Sequence, residues 1–422
     1  MSHVTWVNAA ENGLIAGAAL IDMSAAFDVV DIDILLQKCK LYNFDRNTVQ
    51  WLWSYLSERS QCTYIGGSLS GSLPLEAGVP QGSILGPVLY TLYTSDFPEV
   101  VHQADCPHKT EDNEVKFRTM CTECGGIVCF ADVSTYTVTA KDSAELTEKL
   151  SQKFEVMADY LTENRLCINS DKTHLLVLCS EQKRRFSNTH AVRLATGREV
   201  ISPTEIETLL GYTVHQNLGF GEYLLYGKES VMSNLGRRIG ALKKISKISS
   251  FRTRLSVCTS LISSRILYML PLYCGCPDYM LAALQTKQNE AMRLVTRKKW
   301  EVVGLRLTST RELLRQCGYL SVRQMAYFYS VATVHKILVH KEPEYLHQVM
   351  MAALSSGANH RYPTTHAGEQ TVKAARLGLA NSSFRWRASN QYALLPQSLR
   401  EEPSLKVFLT KLKEHTRVIV IN

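Results

Sequence analysis

Gly17-Ala18-Ala19-Leu20-Ile21-Asp22 is the stretch on which the reading of this chain turns: a short apolar run closed by a carboxylate. It reads as a strand, and the helical periodicity of Asp33 to Leu41 follows it. Thr48 to Leu56 continues as an amphipathic helix whose aromatic stripe is expected to enter the core. Cys62 to Ile65 and Gly71 to Leu75 suggest paired strands around a Gly66-Gly67 turn. A further helix is expected after Gly86-Pro87, then a polar loop bearing Cys and His over about 102–126. A second apolar run, from Gly126 to Asp132, again ends in a carboxylate and opens into Ser134-Thr135-Tyr136-Thr137-Val138. Asp142 or Ser143 can cap a long helix over 142–164, with Leu146, Leu150, Phe154, Met157 and Leu161 on its apolar face.

The remainder is different in kind. From about residue 230 the chain becomes basic and rich in Leu and Ile, including the helical run Leu255 to Tyr268, and a Ser/Gly/His/Thr/Pro cluster marks a linker at 351–370. A length of 422 residues suits two or three domains, and 45% hydrophobic with 20% charged residues excludes a disordered chain. Thirteen basic and two acidic residues between Arg237 and Lys299 give that segment a charge of +11, against +8 for the whole protein. Such a concentration suits a phosphate backbone, although a solvated basic helical surface is the plainer alternative. No basic-then-apolar leader and no membrane-length apolar run is present, and twelve scattered cysteines suit reduced thiols. An intracellular protein, in nucleus or cytoplasm and off the membrane, is therefore expected.

Two carboxylates closing separate strands suit two-metal phosphoryl transfer, in which acidic side chains hold cations about 3.5–4 Å apart. An isolated Asp in that position is more often a helix cap. The neighbouring residues decide between the two. Leu20-Ile21-Asp22-Met23-Ser24-Ala25-Ala26-Phe27-Asp28 resembles the first palm motif of retroelement reverse transcriptases. Gly78-Val79-Pro80-Gln81-Gly82-Ser83-Ile84-Leu85-Gly86-Pro87 resembles the second, and Phe130-Ala131-Asp132 resembles the Phe-Ala-Asp-Asp motif. Asn169-Ser170-Asp171-Lys172-Thr173 is similar to the Asn-x-x-Lys-Thr motif, and Leu209-Leu210-Gly211-Tyr212 to the primer-gripping hairpin. Five motifs in order across 18–214 make this a specific resemblance to non-LTR retrotransposon reverse transcriptases.

The resemblance implies an α+β right-hand polymerase palm, an antiparallel sheet with packed helices, followed by an all-α thumb and a C-terminal helical region. The implied domains are a palm with partial fingers at 1–225, a helical basic thumb or connection at 226–350, and a linker with a retroelement tail at 351–422. Asp22 and Asp132 would bind two magnesium ions, and Lys172 would donate a proton to departing pyrophosphate. Phe27 would stand beneath the sugar and exclude a 2′-hydroxyl, unless it is simply a core side chain. Gln81 and Gly82 would face the template and the incoming base, Gly82 allowing close backbone approach. Deoxynucleoside triphosphates, an RNA template and a DNA primer are the implied partners.

Two departures qualify this. Where the family has a second aspartate, this chain has Val133, which offers no lone pair to a hard cation. Losing that ligand predicts weaker magnesium binding and a rate lower by about a hundredfold or more. The alternative is then an inactive remnant that only binds nucleic acid. Only about twenty residues precede the first motif, too few for the family's fingers region, so a truncated copy is expected. Separately, Cys106-Pro107-His108 and Cys121-Thr122-Glu123-Cys124 form two close ligand pairs with twelve residues between them, a spacing that suits tetrahedral structural zinc as well as four reduced residues in a loop. The zinc reading predicts stoichiometric metal in the purified protein, lost when Cys121 and Cys124 are both changed to Ser. Elemental analysis checks it, and a zinc-free unmutated protein removes the site.

Overall fold

A computed structural model describes residues 2–103, 120–121, 125–196, 199–298, 309–355 and 383–418. The chain forms two compact units, 1–205 and 206–422, each mixing helix with strand. The proposed zinc ligands Cys106, His108 and Cys124 lie outside the described residues, as does most of the 351–370 linker. Cys121 is described only as backbone, in the two-residue strand Met120–Cys121.

The first unit is built on a six-stranded sheet. Its order is Pro203–Thr204, His174–Leu178, Ile15–Asp22, Val133–Ala140, Gly125–Phe130 and Met120–Cys121. Every pairing is antiparallel except that of the Pro203–Thr204 edge, which runs parallel to His174–Leu178. Ile15–Asp22 holds a central place with both its edges paired, and every residue from Ile15 to Ile21 is buried. Small residues make that burial feasible. A Cβ on Gly17 would stand 3.1 Å from methyl carbons of both Leu146 and Leu150, so the helix above lies close on the strand.

That helix, Ser143–Glu163, begins where Asp142 accepts hydrogen bonds from the backbone N–H groups of Ala144 and Glu145. Leu146, Leu150, Phe154, Met157 and Leu161 are buried as their spacing requires. Adjacent side chains on a strand point to opposite faces. Tyr136 Oη donates to the carbonyl of Leu150, 2.9 Å away, while Thr137 accepts from Trp6 Nε1 at 3.1 Å. The helix Ser2–Glu11 therefore covers the other face of the sheet. Its hydrophobic pattern is weak, and it forms no part of the expected strand-then-helix opening.

Helix Arg46–Leu56 corrects one expectation. Val49, Leu52 and Leu56 enter the core and Tyr55 packs partly against it, but the two tryptophans do not: Trp51 is 54% and Trp53 49% exposed. The i, i+3, i+7 positions define the buried face, and these two indoles fall off it. Trp51 instead stacks on Tyr55, with ring centres 5.6 Å apart, and Arg59 lies over the far ring at 5.5 Å. A hairpin does form around the expected turn, with partners other than those expected, because the two-residue turn pairs the residues directly beside it. Tyr64–Ile65 pairs with Ser68–Leu69 around Gly66-Gly67, whose φ values of 56° and 88° are those a two-residue turn demands. Arg59–Gln61 pairs with Leu73–Leu75 below it.

The second unit opens with the hairpin Ile206–Leu209 and Tyr212–His215, turned by Leu210 and Gly211 with φ of 49° and 74°. Helices Val231–Ser246, Asp278–Thr296 and Val322–His340 dominate the rest. The Leu255 to Tyr268 run is helical but broken in character, with a π-helical segment at Thr259–Ser263. Not all of its positive charge faces outward. Arg254 is buried and donates to Val295 O, and Arg297 donates to the carbonyls of Ser246, Lys247 and Ser249 behind the helix Val231–Ser246. The tail helices join this unit: His335 stacks on Phe408, with ring centres 3.5 Å apart, and meets Tyr392 Oη at 3.1 Å.

The first unit also holds a buried ammonium. Lys38 Nζ donates to Tyr93 O at 2.7 Å, Asp96 Oδ1 at 2.8 Å and Tyr160 Oη at 3.0 Å. Burial lowers its pKa, and the hydrogen bond and charge of Asp96 oppose that fall. Removing the carboxylate would strand the charge. Asp96→Ala is expected to cost about 3 kcal/mol in urea unfolding. Lys38→Met, which deletes the charge and keeps the apolar stem, is expected to cost clearly less.

Candidate active site

The site is assembled by strand register. Asp22 ends the central strand and lies opposite Val133, and Phe130 lies opposite the same valine across the next pair. Asp132 therefore stands in the two-residue turn between Gly125–Phe130 and Val133–Ala140, two positions beyond the end of the strand that the sequence expects it to close. Ala131 makes the turn at φ 52°, a left-handed conformation that is strained for a residue with a Cβ. The Met23 N–H donates to Asp132 O at 3.2 Å, which ties the turn to the end of the central strand. Both carboxylates are half-buried, and the side chain of Asp132 accepts no hydrogen bond among the described residues.

Lys172 reaches the same place from a third element. It lies in the short 3-10 helix Ser170–Lys172, and its Nζ is 3.7 Å from Asp22 Oδ1. That helix is fixed to the strand end by the Asn169 N–H, which donates to Asp22 O at 2.9 Å. Thr173 Oγ1 and the Lys172 N–H then both donate to Asn169 O, at 2.8 and 3.2 Å.

The loop carrying Gln81 and Gly82 is held against the first motif. Gly78 and Val79 donate their backbone N–H groups to Val30 O and Phe27 O, each at 2.8 Å. A Cβ on Gly78 would stand 2.8 Å from the Asp28 carbonyl, and its φ is 95°, so only glycine fits there. Gln81 Nε2 donates to Asp28 Oδ1 at 2.8 Å, giving that second carboxylate a positioning contact. Gly82, with φ of 80°, is exposed and has open space where a side chain would stand.

Phe27 is half-buried and lies against Tyr90, with ring centres 4.8 Å apart. Tyr90 is a residue that the sequence did not single out. Its hydroxyl donates to Met23 Sδ at 3.2 Å, beside Asp22. Burial pushes the Tyr90 hydroxyl well above its ordinary pKa, with the charge of Asp132 adding to the effect, so it stays protonated beneath the acidic pair. Its place in the apolar run after Gly86-Pro87 made it look like any other core aromatic.

Lys172 thus reaches Asp22, the turn carrying Asp132 is tied to the same strand end, and Phe27, Gln81 and Gly82 lie on the loops that follow. Among the described residues no group of three or more His, Cys, Asp or Glu side chains is placed to hold a metal. No helix among them is long and apolar enough to cross a membrane.

A family model described as reverse transcriptase (RNA-dependent DNA polymerase) matches residues 6–214. The chain is 24% identical over 294 residues to an RNA-directed DNA polymerase from the mobile element jockey of Drosophila melanogaster, covering 70% of this chain and 30% of that protein. It is 26% identical over 290 residues to a probable RNA-directed DNA polymerase from transposon BS of the same organism, covering 69% and 30%. The chain thus spans about a third of the length of these relatives. Among solved structures, an apo telomerase from Candida tropicalis overlays with a TM-score of 0.39 at 11% identity, over 99% of this chain and 53% of that one, a likeness too remote to transfer any residue. The match over residues 6–214 and these relatives support a reverse transcriptase of the non-LTR retrotransposon kind.

Proposed function

We propose that the chain is the polymerase region of a retrotransposon reverse transcriptase, extending a DNA primer on an RNA template with deoxynucleoside triphosphates. The observation that carries this reading is the register that sets Asp22 against the Val133 position and so brings Asp132 to the same strand end. On this reading residues 1–225 are a palm with partial fingers, 226–350 a helical thumb, and 351–422 a linker and tail.

The donor set fits a divalent cation. One carboxylate at a strand end and one on the adjoining turn are both half-buried, and neither is consumed by strong hydrogen bonds among the described residues. Asp22 and Asp132 would hold magnesium, which when bound lowers the barrier to attack by the primer hydroxyl and steadies the leaving phosphate oxygens. The chain's own residues do the rest. Phe27, braced by the Tyr90 ring, presents a flat apolar surface that leaves a 2′-hydroxyl nowhere to hydrogen-bond. Gln81, oriented by Asp28, and Gly82, free of any side chain, offer polar and open surface to a template–nucleotide pair. Lys172, which is 65% exposed, is free to swing and donate a proton to departing pyrophosphate. The basic helices of the second unit supply phosphate contacts along a duplex.

A second reading, nucleic-acid binding without catalysis, is favoured by one observation: Val133 stands opposite Asp22, where a third carboxylate would complete the donor set. Primer extension separates the two. Wild-type protein is expected to extend slowly, Val133→Asp about a hundredfold or more faster, and Asp22→Asn not at all. Extension by neither the wild type nor Val133→Asp would remove the polymerase reading for this chain.

A further inference from the structure

We propose that Lys172 is a resident counter-ion of the carboxylate site, one that a divalent cation must displace, so that this lysine sets the site's cation affinity. The inference rests on the reading of Asp22 and Asp132 as cation ligands.

Three observations lead there. The Lys172 ammonium stands 3.7 Å from Asp22 Oδ1, and Asp22 is its ion-pair partner among the described residues. Its backbone is anchored to the strand it neutralises, through Asn169 N–H to Asp22 O at 2.9 Å, so the ammonium returns to the same place whenever nothing competes for it. Val133 has removed the third negative charge, so one ammonium now offsets half of the site's acidity instead of a third of it. A cation arriving at Asp22 has to separate the pair, and it meets a local charge of −1 rather than −2 while the lysine stays. Asp22 is the less exposed partner, its side chain at 23% against 65% for Lys172, so the mobile member of the pair is the lysine. Its departure from Asp22 is also the motion that would carry it toward a phosphate leaving group, which couples cation entry to the placement of the proton donor.

Bare charges at this separation interact strongly at the effective dielectric of a protein surface, and exposure screens much of that. Removing the ammonium is therefore expected to tighten divalent binding by about tenfold. Manganese is a direct probe, because free Mn2+ gives a paramagnetic resonance signal that bound Mn2+ loses. The full chain without nucleotide or nucleic acid would be titrated as wild type, Lys172→Gln, Lys172→Arg, Asp22→Asn and Val133→Asp. Lys172→Gln is expected to bind about tenfold more tightly, Lys172→Arg to stay close to wild type, and Asp22→Asn to lose binding. Equal affinity in wild type and Lys172→Gln, with binding still lost in Asp22→Asn, would overturn the counter-ion role and leave the cation site intact. Manganese binding indifferent to Asp22→Asn, or absent from every variant including Val133→Asp, would overturn the cation-site reading beneath it.

Discussion

Everything at the candidate active site depends on how the strand Ile15–Asp22 is registered between its neighbours. A slip of one residue would turn each of its side chains to the opposite face of the sheet. It would also move Asp22 off the turn that carries Asp132. Burial opposes the slip strongly, because both faces are covered and each residue from Ile15 to Ile21 is withdrawn from water. Gly17 adds a specific lock: Leu146 and Leu150 fill the space where any larger side chain would stand. Placement of two acidic groups at a surface thus draws on apolar packing several residues away from them. Two like charges repel, so their proximity has to be imposed by the fold, and the central strand imposes it.

How much of this was legible in the sequence depended on whether the cause was local. The Gly66-Gly67 turn, the Asp142 cap and the Leu210-Gly211 turn are dictated within a few residues, and each stands where it was expected. The helix 143–163 was equally open, since five apolar residues at helical spacing leave little choice. The tryptophans of Arg46–Leu56 misled because bulk and hydrophobicity suggest core, whereas helical phase decides which face is covered. Val49, Leu52 and Leu56 carried the right phase with smaller side chains. The opening helix Ser2–Glu11 was missed for a related reason, since it is held by contacts such as Trp6 to Thr137, 131 residues away, and hardly by its own pattern.

The site shows the same division. Asp22, Asp132, Gln81, Gly82 and Lys172 stood out through short motifs, while the contacts that position them are long-range. The grip of Asp28 on Gln81 spans 53 residues. Tyr90 meets Met23 across 67 residues and gives no sequence signal beyond being an apolar helix residue. The basic segment 237–299 was read as a single surface property, yet Arg254 and Arg297 use their guanidinium groups inside the second unit, on backbone carbonyls. A count of positive charge cannot distinguish a side chain that caps a helix end from one that awaits a phosphate.

Val133 shows why fold and chemistry have to be judged apart in this chain. A β-branched residue suits a strand position, where its stiff side chain loses little on ordering. Opposite Asp22 it also relieves a repulsion that a carboxylate would bring to a half-buried place. Valine at this position is therefore expected to suit the sheet at least as well as an acid would, while on the proposed reading an acid there would add a ligand to the site. On the proposed reading, the register, the turn at Ala131-Asp132 and the lysine anchored at Asn169 can all be in place while the reaction rate is low. On that reading the rate is set by charge at one position, to which the hydrophobic core is indifferent.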